Sequence, residues 1–218
     1  HPVPDSELEF VESCRSRLFK HRETRPRPFK DNKILTSWNG LMIAAFATGG
    51  KVLGNNLYTE AAEEAANFIL DKLVDEKGRL LAVYRDGPSQ VNGYACDYAF
   101  LIWGLLELYA ATYKPVYLEK ALKLNEDFIN LFWDNEKGGF FLYGSDSEQL
   151  ITRPKEAYDG ATPSSNSVAA MNLIRLSRLT GRYDLEEKAI KILQCFSSEL
   201  NNYPAGFSYM LCAILYLT

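Results

Sequence analysis

The chain has 218 residues, 47% hydrophobic, 24% charged and 13% aromatic, an ordinary soluble globular profile with room for a sizeable core. Its 24 Lys and Arg against 28 Asp and Glu leave a net charge of −4, which argues against a globally basic nucleic-acid binder. No uncharged apolar run reaches the roughly 18 residues that a membrane span needs, and no signal peptide opens the chain.

Taken in order, the first expected element is a helix over Ser6–Arg22. Arg15, Arg17, Lys20, His21, Arg22, Arg25, Arg27 and Lys30 make this stretch basic, which reads as a solvated face. From Ile34 to Gly50 there is no charge, the pattern of a helix buried on most sides. Gly54-Asn55-Asn56 then turns into an amphipathic helix with Ala61, Ala65, Phe68 and Ile69 on one face and Glu60, Glu63, Glu64, Asp71 and Lys72 outward. A long connection, Lys77–Cys96, carries an expected strand at Leu80–Tyr84.

The alternation continues. Tyr98–Thr112 holds one charge, Glu107, and Tyr113-Lys114-Pro115 leads into an amphipathic Tyr117–Phe132. The loop Asn135–Pro163 carries a second expected strand at Phe140–Tyr143. Ser164–Ile174 is uncharged, Gly181-Arg182 turns, Asp184–Leu200 is amphipathic, and Phe207–Leu217 closes the chain.

The elements repeat. Ala61 and Phe68, Ala121 and Phe128, and Ala189 and Phe196 recur at offsets of 60 and 68, as do Gly78, Gly138 and Gly206. A buried inner helix followed by an amphipathic outer one, repeated, predicts an all-α fold. The expectation is an α/α toroid of helical hairpins with short β-hairpin strands in the long loops. Helical solenoid repeats are usually shorter, about 33–47 residues. About eight helices are fewer than a closed six-hairpin barrel holds. The chain is therefore expected to be a single domain, residues 1–218, forming part of such a barrel. The first residue, His1, is not Met and fits a processed or excerpted piece.

Long connections gather on one rim beside the N-termini of the inner helices, where free N–H groups can bind polar ligands. Trp and Tyr beside acids and Arg on this rim suit carbohydrate, since aromatic rings stack on sugar C–H faces while charged groups bind hydroxyls. Asp97, Asp159 and Glu156 are the acid/base candidates. Asp31, Lys33, Trp38, Asn39, Tyr84, Arg85, Tyr98, Arg153, Lys155 and Asn166 are the substrate-binding candidates. Each has a plain structural reading beside it. Asp97 fits a helix cap, Asp159-Gly160 a turn, and Trp38 the core, while Arg153, Lys155 and Glu156 fit a local ion network. Capping by both aspartates would favour a binding module over a glycosidase. Ser37 is the expected cap of the first inner helix. Cys14, Cys96, Cys195 and Cys212 lie far apart without metal spacing, which reads as reduced thiols of a cytoplasmic protein. With His1 and His21 the only histidines and no P-loop or dinucleotide fingerprint, neither metal nor cofactor is expected.

The segments RPRPFKDNKILTSWNGLMIAA, GYACDYAFLIWGLLELYAAT, FWDNEKGGFF and RPKEAYDGATPSSNSVAAMNLIRL resemble the spermatogenesis-associated protein 20-like family across about Ser13 to Phe196. That resemblance implies the C-terminal part of an (α/α)6 barrel similar to six-hairpin glycosidases and N-acylglucosamine 2-epimerases. It also implies an upstream thioredoxin-like domain of the same protein as partner, besides a small sugar-like ligand. The chain departs from the family pattern at Asn32 and Cys96, where an acid is usual, and at Ser165, where glycine is usual. The resemblance implies no particular reaction. The expected function is therefore a carbohydrate-active, glycosidase-like or epimerase-like segment, with a non-catalytic ligand- or partner-binding scaffold as the alternative.

Overall fold

The computed structural model describes residues 5–148 and 151–218, so His1 lies outside the described residues. The chain divides into two compact units, one ending at Asn32 and one running from Lys33 to Thr218. In the first, helix α1 (Asp5–Glu23) ends with Lys20, His21 and Arg22 in its last turn, where cations oppose the helix dipole. Glu23 is ion-paired to Arg27.

The second unit opens with strand β1 (Ile34–Leu35) and inner helix α2 (Thr36–Leu53). Helix α2 stops at Gly54, whose φ of +63° closes the last turn by an N–H donated to the Gly50 carbonyl. Outer helix α3 (Asn56–Lys72) follows, capped by the Asn55 side chain on the Leu57 N–H. Strand β2 (Val83–Tyr84) leads to inner helix α4 (Ala95–Thr112) and outer helix α5 (Pro115–Phe132), which starts on a proline. Inner helix α6 (Ser165–Thr180) and outer helix α7 (Tyr183–Cys195) form the third pair. Helix α8 (Ser197–Asn202), a 3-10 turn at Pro204–Phe207 and inner helix α9 (Ser208–Leu217) complete the chain. The expected outer helix Asp184–Leu200 is thus broken at Phe196, whose φ and ψ of −106° and 14° interrupt the helical run.

Helices α2, α4, α6 and α9 pack side by side, and α3, α5 and α7 each lie against their own inner partner. This is the arc of an α/α toroid that the alternating charge pattern predicts. Helix α4 is buried nearly all round, from Ala95 through Leu108. Helices α2 and α4 touch backbone to backbone: a Cβ on Gly40 would lie 2.6 Å from the Phe100 carbonyl carbon, and one on Gly104 2.8 Å from the Gly40 carbonyl oxygen. In the same core Tyr98 stacks on Phe128 at 5.6 Å, and Phe128 stacks on Phe140 at 4.0 Å.

The strands differ from expectation. Only Val83–Tyr84 of the first forms a ladder, antiparallel with β1 (Ile34↔Tyr84, Leu35↔Val83), while Leu80, Leu81 and Tyr84 add single bridges to Val74, Asn92 and Pro88. The second expected strand, Phe140–Tyr143, contributes a single bridge, Trp133↔Phe140. Phe140 itself is consumed by the core, and the Pro154 carbonyl takes the Leu142 N–H.

The repeat is real and carries a one-residue insertion. Helices α2 and α4 start 59 residues apart (Thr36, Ala95), as do α3 and α5 (Asn56, Pro115), whereas Gly78 and Gly138 are 60 apart. The extra residue lies in the turn after α5. The Gly78 N–H reaches the Asp75 carbonyl three residues back at 2.9 Å, and the Gly138 N–H reaches the Asp134 carbonyl four back at 3.0 Å. Both glycines have positive φ, +83° and +74°. The buried face of α3 is accordingly Ala62, Ala66 and Ile69; of the expected Ala61, Ala65, Phe68 and Ile69, Ile69 is buried and the other three lie one residue off.

Candidate functional site at the inner-helix N-termini

The starts of the inner helices are tied together in pairs by two aspartates. Asp97, 2% exposed in the first turn of α4, accepts the N–H of Tyr94 at 2.8 Å and that of Ser37 in α2 at 2.8 Å. Asp159, in the loop before α6, accepts the Ser164 N–H at 2.8 Å and the Tyr209 and Met210 N–H groups of α9 at 2.8 and 3.3 Å. Each carboxylate therefore bridges neighbouring helix starts, where unpaired N–H groups and the dipole favour an anion. Burial pushes the Asp97 carboxyl up to about 6, against the opposing pull of the Tyr94 and Ser37 donors and the more distant Arg79 charge. Ser37 is the second residue of α2 and not its cap. The cap is Leu35, and the Thr36 hydroxyl instead donates to the Leu81 carbonyl at 2.6 Å.

Between the two staples lies a cleft of about 480 Å³. Its walls come from the first turns of α2 (Ser37, Trp38) and α4 (Tyr94, Cys96), from Glu156 and Tyr158, and from residues 160–165 on the approach to α6. Trp38, Tyr94 and Tyr158 are 67%, 47% and 54% exposed, so three aromatic rings are available to a ligand. Glu156 is exposed and is the one carboxylate residue among the described lining residues. Burial, reinforced by the Asp97 charge, pushes the Cys96 thiol up to about 12, so it is no nucleophile at neutral pH.

Of the residues expected to bind or react, Trp38 and Glu156 line this cleft. The others are placed differently. Asp97 and Asp159 hold helix starts, as described. Tyr98 is fully buried, and its hydroxyl accepts from the Arg79 guanidinium at 2.8 Å and the Leu80 N–H at 3.2 Å, so it offers no face for stacking on a sugar. Asn166 is fully buried and spends its amide on the Phe140 N–H and carbonyl (2.7 and 3.0 Å) and the Glu156 carbonyl (2.8 Å). Arg153 lies 4.1 Å over the Phe141 ring and donates to the Tyr143 carbonyl at 2.9 Å. Lys155 donates to Asp134 and the Gly138 carbonyl, both at 2.8 Å, stapling the turn after α5. Asn39 donates back to the Leu35 carbonyl at 2.9 Å, at the start of its own helix. Tyr84 packs edge-on against Phe68 at 5.2 Å, and Arg85 is exposed beside β2. Lys33 is exposed before β1, and Asp31 belongs to the first compact unit. The departures of Asp97, Asp159, Asn39, Asn166, Arg153 and Lys155 have one cause. Polar side chains beside helix starts and turns meet backbone N–H and C=O groups first, and satisfying those groups outweighs reaching for solvent.

Tyr94, Tyr158 and Cys96 lie in the rim segments that the sequence singles out but were not among the expected binding or reacting residues, and they too line the cleft. Their signal was position, immediately before or within the turns that lead into α4 and α6. A buried basic residue was also missed. Arg79, 9% exposed, donates to Asp146 at 2.7 and 3.3 Å and to the Gly93 carbonyl at 3.1 Å, and it lies 5.3 Å from both the Tyr98 and Phe132 rings. It anchors the α3–α4 loop that ends at Tyr94. Among the described residues no group of three or more His, Cys, Asp and Glu could hold a metal ion, and no helix is long and apolar enough to cross a membrane.

An arc of inner and outer helices is the fold of solved α/α-toroid epimerases and glycosidases. The solved cellobiose 2-epimerase of Bacillus thermoamylovorans superposes with a TM-score of 0.64 at 17% identity, over 78% of this chain and 46% of that one. A GH76 α-mannanase of Bacteroides thetaiotaomicron gives 0.65 at 17% identity over the same shares. Human spermatogenesis-associated protein 20 is 37% identical over 208 residues, 91% of this chain. The chain belongs to the spermatogenesis-associated protein 20 family, and it spans about a quarter (26%) of that relative's length. No family model matches.

Proposed function

We propose that this segment recognises carbohydrate in the cleft between the Asp97 and Asp159 staples. The observation that carries the reading is the set of exposed rings, Trp38, Tyr94 and Tyr158, gathered with Glu156 at the inner-helix N-termini. The likeness of the fold to a cellobiose 2-epimerase and an α-mannanase supports it. Glu156 serves as the acid/base group where a proton moves. A pair of catalytic carboxylates is not supported, because Asp97 and Asp159 each accept backbone N–H groups from two helix starts. That commitment favours the binding-module reading over a two-carboxylate glycosidase. The chain spans 26% of its human relative, and the family resemblance is the ground for proposing a thioredoxin-like domain as this segment's partner. The four free cysteines support a reducing, cytoplasmic setting.

The test is calorimetric titration of a panel of neutral mono- and disaccharides, with tryptophan fluorescence as a second readout. Trp38→Ala is expected to weaken binding about tenfold while leaving the melting temperature unchanged, since the ring is 67% exposed. Absence of binding at millimolar sugar, or wild-type affinity in Trp38→Ala, overturns the proposal.

A further inference from the structure

Resting on the carbohydrate reading, we infer that the cleft selects a sugar bearing a free amine, a hexosamine, over its neutral parent and over phosphorylated or acidic sugars. The first observation is the charge inventory. The described lining residues include one carboxylate, Glu156, and no lysine, arginine or histidine. The two bases nearest in sequence are turned to other work. Lys155 is bound to Asp134 and the Gly138 carbonyl, and Arg153 lies over Phe141 with its guanidinium donating to the Tyr143 carbonyl.

The second observation concerns the helix starts. The N-termini of α2, α4 and α6 would ordinarily draw an anion into the cleft. Here part of that capacity is already spent. Asp97 sits on the Ser37 and Tyr94 N–H groups, and Asp159 sits on that of Ser164, each at 2.8 Å, so carboxylates of the chain occupy the anion positions. A phosphate or uronate would meet Glu156 without a compensating cation.

The third observation is aromatic. Trp38, Tyr94, Phe100 and Tyr158 contribute to the same cleft as Glu156. Aromatic faces beside a carboxylate attract an ammonium through the ring quadrupole and by direct charge. They still stack on the C–H face of a pyranose. A cationic amino sugar satisfies both demands, while a neutral sugar satisfies only the second.

The experiment titrates the full chain at about pH 6 with D-glucosamine, D-glucose, N-acetyl-D-glucosamine and D-glucose 6-phosphate. The same is done for the manno series. The expected result is an amine sugar bound about tenfold more tightly than its neutral parent, N-acetylation removing that gain, and the phosphate weakest. Glu156→Gln is expected to abolish the difference between glucosamine and glucose. Salt should shrink the difference in the wild type as well. Equal affinity for glucosamine and glucose, or a preference that survives Glu156→Gln, overturns this inference and leaves the carbohydrate reading standing. Failure of every sugar to bind overturns both.

Discussion

Replacing Asp97 by asparagine tests whether this carboxylate is a buried staple. The side chain is 2% exposed, and each of its oxygens accepts one backbone N–H at 2.8 Å. Asparagine keeps one acceptor, so whichever way the amide turns, one of the two N–H groups faces an NH2. That orphaned donor costs about 1–3 kcal/mol. Against it stands the charge. Burial raises the folded carboxyl from an ordinary 3.8 to about 6, so ionising it in the folded state costs about 3 kcal/mol more than in the unfolded chain.

Between those two values the folded state holds more protons than the unfolded state. The stability that Asp97 contributes is thus full below about pH 4 and is lost as pH rises towards and beyond 6. The amide of the Asp97→Asn variant does not titrate. The stability difference between wild type and variant should therefore shrink by about 2 kcal/mol between about pH 4.5 and pH 7.5, whatever the hydrogen-bond cost. Urea unfolding at the two pH values measures it. A difference that stays constant within about 0.5 kcal/mol would show that the carboxyl titrates normally, and the burial argument would be wrong.

Other outcomes follow from single contacts. Gly40→Ala should cost about 1–3 kcal/mol or more by thermal unfolding, because the new Cβ meets the α4 backbone at 2.6–2.8 Å and neither helix can yield cheaply. Arg79→Met should lower stability by about 3 kcal/mol, and Arg79→Lys should not restore it, since an ammonium cannot make the bidentate contact to Asp146 while also reaching Tyr98 and Gly93. Chemical denaturation of both variants checks this pair. Phe140→Ala, which removes a fully buried ring stacked on Phe128 at 4.0 Å, should cost about 3–5 kcal/mol in the same assay.

The fold was legible because its two layers differ in composition. Charge-free inner helices such as Ile34–Gly50 can be stable only when covered on nearly every side, and the amphipathic helices between them have one face with which to cover them. Most turn signals were equally readable, since Gly54, Gly78, Gly138 and Gly181 take the positive φ that glycine allows, whereas Gly206, in phase with Gly78 and Gly138, sits in the 3-10 turn without it. The strands were not. Phe140–Tyr143 is a short aromatic and apolar run after a glycine turn, as a strand can be, yet nothing local says that Phe140 is claimed by Phe128 and Trp133. Nor does anything local say that Val83–Tyr84 finds its partner ahead of α2, nearly fifty residues upstream.

Which rim gathers the polar side chains was legible, and which of them face the cleft was not. Acids at helix starts suit both acid/base chemistry and the satisfaction of backbone donors, and only three-dimensional proximity decides between them. For Asp97 the deciding fact is the Ser37 N–H, brought to 2.8 Å by the close approach of α2 to α4 that Gly40 and Gly104 permit. For Asp159 it is the first turn of α9, about fifty residues on. The same packing that makes the inner layer tight consumes these carboxylates, and it leaves the cleft to residues that the helices do not need. Glu156, Tyr158 and Trp38 are exposed because no neighbouring helix start requires their side chains. In a toroid whose inner helix starts converge on one rim, the acids nearest the axis go first to the architecture. A side chain open to ligand chemistry is then found one step out, in the loop that the staple holds still.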